Sequence, residues 1–209
     1  MDGVICDTNP YHSLAWKAFL DKFGIVSSEE EFIAHMYGKS NSYILKHFFK
    51  RNIVGEEFAK MEFEKEALFR EIYEAHVKPI TGLIEFIENL KANGVKTGIA
   101  TSAPLLNMEL ILSQLPLRDK MQSLLASEDV STHKPNPEVY IKSALNLGIS
   151  PEKCVVFEDS LSGVTAGKAA GAKVVGVLST YKIEELPICD AYIADYQELT
   201  YQKIKDLFN

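Results

Sequence analysis

The 209-residue chain is poor in the features that would place it outside the cell or on a nucleic acid. It has three cysteines, Cys6, Cys154 and Cys189, scattered and odd in number. They form no disulfide framework and no metal-ligand spacing, and they read as small buried hydrophobes of a reducing compartment. No apolar run reaches the roughly 18 residues that a membrane span needs. Asp2 and Asp7 stand where a secretory signal would carry basic residues. Positive charge is in deficit: 22 Lys+Arg against 29 Asp+Glu leave a net charge of -7. No basic stripe interleaved with aromatics is present, which argues against nucleic acid as a partner. An anionic substrate would be held by local cations, because the overall field repels it. The expectation is a cytoplasmic protein with no membrane attachment, a monomer or weak dimer.

What is present is an ordinary globular composition, 46% hydrophobic and 24% charged. The length accommodates one α/β domain and a smaller inserted one. The first part reads as helical. Asn9-Pro10 supplies a cap and a first-turn proline for a helix that stops at Gly24. Ser27 and Ser28 precede Glu29, Glu30 and Glu31 in the manner of a capping box. Ser40 caps a third helix carrying Ile44, Leu45, Phe48 and Phe49. A long charged helix runs from about Glu56 to His76.

After Pro79 the pattern changes to strands alternating with helices. Val95 to Ala100, Met121 to Ala126, Val155 to Phe157, Val174 to Val177 and Ala191 to Ile193 read as short strands. The helical segments from Gly82 and from Asn136 end at Gly94 and Gly148, where glycine is the expected stop. This order predicts an α/β fold with a parallel sheet covered on both faces. Right-handed crossovers bring the strand ends to one edge, where open α/β sheets bind ligands. The expected division is a core of residues 1–8 and 77–209 and a helical unit of residues 9–76. An α/β sheet normally opens with a strand, yet none precedes the loop Asp2-Gly3-Val4-Ile5-Cys6-Asp7-Thr8.

Four clusters fall in that loop or at strand ends: Asp2-Gly3, Thr101-Ser102, Lys134-Pro135-Asn136-Pro137 and Glu158-Asp159. Taken singly each is bland. Thr-Ser after a strand is commonly a turn, Lys-Pro a surface loop, Glu-Asp a solvated pair. Two adjacent acids at a buried strand end are less so, because burying both without a cation is costly. Together they suit phosphoryl chemistry. Paired carboxylates hold a hard cation such as Mg2+. A strand-end hydroxyl and a lysine bind phosphoryl oxygens. A carboxylate such as Asp2 shuttles a proton to and from the leaving oxygen.

The order Asp-Gly-Val, Ile-Ala-Thr-Ser, His-Lys-Pro-Asn-Pro-Glu-Val-Tyr and Val-Phe-Glu-Asp-Ser-Leu-Ser-Gly-Val resembles the haloacid dehalogenase superfamily. Within it the chain is most similar to β-phosphoglucomutase and its phosphatase relatives. The resemblance covers nearly the whole chain and identifies the helical segment as that subgroup's four-helix cap. It implies a Rossmann-like core and a Mg2+ cofactor. The family nucleophile, an aspartate two positions before Asp2, would lie upstream of Met1 together with the first strand. A start assigned to an internal methionine, a shortened chain, or true loss of catalysis would each account for that.

The resemblance further implies roles for individual residues. Asp2 would act as acid/base and reach the metal through its carbonyl. Asp159 would ligate the metal, with Glu158 a second ligand or an outer-shell partner. Thr101 and Lys134 would hold the phosphoryl group, with Ser102 as a lesser contact. In the cap, which should confer specificity by closing over the site, His12, Trp16, Gly38, Lys39 and Ser40 would contact a small phosphorylated metabolite. Lys65 is a weaker cap candidate. Asn41 stands where the mutase has an arginine for a second phosphate, which favours a phosphatase over the mutase. The expected activity is hydrolysis of a phosphorylated metabolite, in all expectation a sugar phosphate. The alternatives are a β-phosphoglucomutase-like isomerase or, if the chain truly begins at Met1, a noncatalytic binding protein.

Overall fold

Helix signals in the first part are strong enough to act locally. In the computed structural model, which describes residues 1–36 and 40–209, α1 spans Asn9–Asp21 with Pro10 in its first turn, where a missing N–H costs nothing. Helix α2, Glu29–Met36, begins where Ser28 Oγ accepts the Glu31 N–H at 3.1 Å. Its first three glutamates face the positive end of the helix dipole. Helix α3, Asn41–Phe49, is capped by Ser40, whose hydroxyl accepts the Tyr43 N–H at 3.3 Å. Helix α4, Gly55–Tyr73, is followed by a 3₁₀ turn to His76. The apolar faces of these helices share a core that includes Trp16, Phe19, Leu20, Phe32, Ile44 and Phe48. Trp16 meets Phe19 edge-on, ring centroids 5.8 Å apart, a favoured aromatic geometry. These helices make up one unit, Thr8–His76.

The other unit comprises Met1–Asp7 and Val77–Asn209. Its elements alternate: α5 Leu83–Ala92, β1 Gly98–Ala100, α6 Leu105–Gln114, β2 Ser123–Leu125, α7 Glu138–Leu147, β3 Val155–Glu158, α8 Leu161–Ala169, β4 Lys173–Val177, β5 Ala191–Ile193 and α9 Tyr201–Lys205. Every ladder is parallel. Gly98 pairs with Ser123, Val155 with Lys173, and Val175 with Ala191. The α/β fold with helices flanking a parallel sheet is therefore as expected. Val174, Val175 and Val177 are buried in β4, the centre of its sheet, as parallel strands covered on both faces must be.

One difference from the expected single sheet is informative. The strands form two hydrogen-bonded groups, β1-β2 and β3-β4-β5. The opening residues Met1–Cys6 fold into a turn, in which the Met1 carbonyl accepts the N–H groups of Val4 and Ile5. A cavity of about 400 Å³ lies within this unit, lined mostly by apolar side chains among which are Val4, Ile5, Phe86, Ile99, Val156 and Phe157. Asp2, Thr101, Lys134, Glu158 and Asp159 are absent from its lining. Strand β1, paired on one side only among the described residues, is also shorter than the strand expected over Val95 to Ala100.

Among the described residues no helix is long and apolar enough to cross a membrane. Phe19 is fully buried in the helical unit. Phe19→Ala should therefore lower the unfolding free energy by about 3–5 kcal/mol, read by urea denaturation. A loss under about 1 kcal/mol would contradict that burial.

Candidate active site

Strand β3 ends by delivering Glu158 and Asp159, both buried, to the start of α8. Ser160 caps that helix, its hydroxyl accepting the Gly163 N–H at 3.1 Å. The Glu158 carboxylate lies against this helix start. A Cβ on Gly163 would sit 2.0 Å from Glu158 Cδ, so only glycine leaves room. Oε2 accepts the Ser160 hydroxyl at 3.0 Å and the backbone N–H groups of Asp159 and Ser160 at 3.1 and 3.3 Å. Oε1 accepts the Lys134 ammonium at 2.6 Å and the Tyr140 hydroxyl at 2.5 Å. Burial works against the Glu158 charge, but the Lys134 ammonium, the Met1 α-ammonium and the Tyr140 hydroxyl together outweigh it, and the carboxyl is held down to about 2.

Lys134 links the two groups of strands. Besides Glu158 on β3 it donates to the carbonyl of Ala100, the last residue of β1, at 3.2 Å. Its ammonium also stands over the Tyr140 ring, 4.7 Å from the centroid. Thr101 follows Ala100 directly and is buried. Its N–H donates to the Leu125 carbonyl and its Oγ1 accepts the Ala103 N–H at 3.1 Å. Ser102, beside it, is exposed.

Asp159 shows the opposite electrostatics from its neighbour. Burial raises it, the Glu158 charge raises it further, and Asp2 adds to this, so its carboxyl is pushed up to about 7. The Thr180 hydroxyl donates to Oδ2. Among the described residues no hydrogen bond reaches Oδ1. Gly3 closes the other side. It has φ +63°, and a Cβ there would lie 1.9 Å from Asp159 Oδ2. The Ser179 hydroxyl donates to the Gly3 carbonyl. The core thus gathers the Asp2-Gly3 turn, Thr101, Lys134, Glu158 and Asp159 at the carboxyl ends of β1 and β3.

The helical unit holds its own polar network. Lys65, buried, donates to Glu66 at 2.8 Å and meets His12 Nδ1 at 3.0 Å. The amide of Asn41 donates to Glu62 at 2.9 Å and to Glu66 at 3.0 Å. The His12 ring stacks on Phe69, centroids 3.8 Å apart. Trp16 is buried in the helical core with Lys65 5.1 Å from its ring. Ser40 is occupied as the α3 cap. Gly38 and Lys39 lie outside the described residues.

Sequence reasoning gave no role to Tyr140, Gly3 or Gly163, although all three lie in the motifs it quoted, and it did not reach Thr180. Tyr140 closes the His-Lys-Pro-Asn-Pro-Glu-Val-Tyr stretch, but nothing in its spacing from Lys134 marks it, because Lys134 lies in the loop ahead of α7. Thr180 carries no local signal, because only the end of β4 brings it to Asp159.

The description "Haloacid dehalogenase-like hydrolase" belongs to a family model that matches residues 1–177. A fructose-1-phosphate phosphatase of Escherichia coli is 29% identical over 177 residues, covering 85% of this chain and 93% of that protein. A phosphorylated carbohydrates phosphatase of Thermotoga maritima is 32% identical over 182 residues, with 85% and 82% covered. The crystal structure of a β-phosphoglucomutase from Clostridium difficile superposes with a TM-score of 0.85 at 25% identity, covering 100% of this chain and 94% of that one.

The contact at Gly163 and the charge at Asp159 each have a measurable consequence. Gly163→Ala would normally stabilise a helix by up to about 1 kcal/mol. Here the methyl displaces Glu158, so the melting temperature should fall, and a rise would contradict the contact. The second concerns pH. Asp159 binds its proton more tightly folded, near 7, than unfolded, near the usual value of about 3.9. Its contribution to the unfolding free energy is therefore full below about pH 4 and is lost as pH rises to about 7. In chelator-treated protein, Asp159→Asn should remove that downward trend, and identical pH profiles for parent and variant would refute it.

Proposed function

The chain belongs to the haloacid dehalogenase-like hydrolases, enzymes of phosphate-ester hydrolysis among its relatives, and on that premise we propose that it is a Mg2+-dependent phosphatase of a phosphorylated carbohydrate. The observation carrying this reading is the bridge made by Lys134 between Ala100 and Glu158, which sets its ammonium at the end of β1, where Thr101 follows, and against the Glu158 carboxylate. The named substrates of the relatives, fructose 1-phosphate and phosphorylated carbohydrates, supply the substrate class.

The residues present fit a hard divalent cation. Donors here are oxygens, and Asp159 has a buried, charge-disfavoured carboxyl with Oδ1 unengaged by any donor among the described residues. Among the described residues no three or more His, Cys, Asp or Glu side chains are arranged so that they alone could hold a metal ion. Magnesium tolerates this, since it usually keeps several waters and takes substrate phosphate oxygens as ligands. Asp159 and the Asp2 carbonyl would hold it, and when bound it would offset charge on the phosphoryl group. Glu158 has both oxygens taken by protein donors, so of its two implied roles the proposal assigns it the outer one, holding Lys134.

Lys134 and the Thr101 hydroxyl would bind phosphoryl oxygens, stabilising charge as it spreads over them. Asp2 would protonate the leaving sugar oxygen and then take a proton from water. The attacking group in this proposal is an aspartate ahead of Met1 in the reading frame, forming an aspartyl-phosphate as the sugar alcohol leaves. His12, Trp16, Ser40, Gly38 and Lys39 remain proposed cap contacts to the sugar.

The mutase reading has the β-phosphoglucomutase likeness in its favour. Against it, Asn41 is turned to two carboxylates, Glu62 and Glu66, an arrangement that does not attract a second phosphate. β-Glucose 1-phosphate given with its bisphosphate separates the two: inorganic phosphate marks a phosphatase, glucose 6-phosphate without it a mutase. Asp159→Ala in the full natural chain should abolish Mg2+-dependent release of phosphate from sugar phosphates. Near-parental turnover in that variant would sink the proposal. In-frame codons ahead of Met1 that lack an aspartate would move the reading to a noncatalytic binding protein.

A further inference from the structure

Tyr140 is a buried polar side chain to which neither the family description nor the motif roles assign any task. Its hydroxyl donates to Glu158 Oε1, the same oxygen that accepts Lys134. Its ring carries the Lys134 ammonium 4.7 Å from the centroid. The residue therefore touches both members of the ion pair, one through its hydroxyl and one through its face.

The consequence follows from counting donors. Lys134 has three N–H donors, and two are engaged, by Ala100 and by Glu158. The third is left for a ligand oxygen. How firmly the ammonium is held back depends on how much negative charge Glu158 Oε1 presents to it. A charge-assisted hydrogen bond from a hydroxyl draws off part of that charge. The aromatic face gives the ammonium a second, weaker attraction that does not compete for its protons.

We propose that Tyr140 is a positioning residue that shares Glu158 Oε1 with Lys134 and so keeps the lysine free to grip a phosphoryl oxygen. This rests on the phosphatase reading for the identity of the anion. It goes beyond that reading in naming the side chain that sets the lysine's availability. Without the hydroxyl, Oε1 has Lys134 as its sole donor, its undivided charge holds the ammonium more tightly, and the ammonium is less available to the anion.

The test uses the full natural chain and three variants: Tyr140→Phe, Glu158→Gln and the double variant. Tyr140→Phe keeps the ring under Lys134 and removes only the donor. It should lower kcat/KM for a sugar phosphate about tenfold and weaken binding of inorganic phosphate by a similar factor. In the Glu158→Gln background the same change should cost less than about twofold, because a residue acting through the carboxylate has nothing left to act on. A merely structural tyrosine would cost as much in both backgrounds, and that result overturns the proposal. So does a Tyr140→Phe protein that binds phosphate as the parent does. A parent that binds phosphate but hydrolyses no ester sinks the phosphatase reading and leaves the phosphate-binding arm to decide on Tyr140. A parent that binds no phosphate overturns both.

Discussion

The buried carboxylate of Glu158 is the constraint around which the core is arranged. An ionised carboxylate out of water is tolerated only when its oxygens are satisfied. Here backbone N–H groups and a hydroxyl at the start of α8 take one oxygen, and an ammonium and a phenol take the other. Each partner then has its own requirement. The helix start must come close, which excludes a side chain at residue 163. Lys134 must reach across from its loop, which ties the end of β1 to the end of β3. The strands of β1-β2 and β3-β4-β5 share no ladder, so this side-chain bridge joins them where backbone pairing does not.

Satisfying Glu158 leaves its neighbour in the reverse condition. Asp159 shares the burial but not the partners, and the charge next door makes its own ionisation unfavourable. Two carboxylates one residue apart are thereby driven in opposite directions. One is a fixed anion that holds a lysine; the other keeps its proton up to about pH 7. That asymmetry follows from which of the two faces the helix start.

The helical unit meets the same problem with a smaller set of groups. Lys65 is buried and pairs with Glu66, which in turn receives the Asn41 amide. A position read from the sequence as uncharged thus proves to be committed to carboxylates, and His12 is held by Lys65 and by Phe69. Trp16, one turn beyond His12 in α1, is a core side chain first.

Much of the architecture was legible because its causes are local. Ser28, Ser40 and Pro10 mark helix starts through hydrogen bonds or a missing N–H within one turn. The apolar runs at 155–157 and 174–177 pair as parallel strands because their composition tolerates burial on both faces. The acids at 158 and 159, the lysine at 134 and the threonine at 101 could be picked out by their positions after strands. Which acid binds Lys134, the part played by Tyr140 and Thr180, and the glycines that admit both carboxylates could not be read so. The sequence by itself determined the order of elements and the residue types brought to the strand ends, since propensity and capping act over a few residues. Only the tertiary structure decided how charge is divided between Glu158 and Asp159, because burial and Coulombic attraction depend on distances across strands that are far apart in the chain.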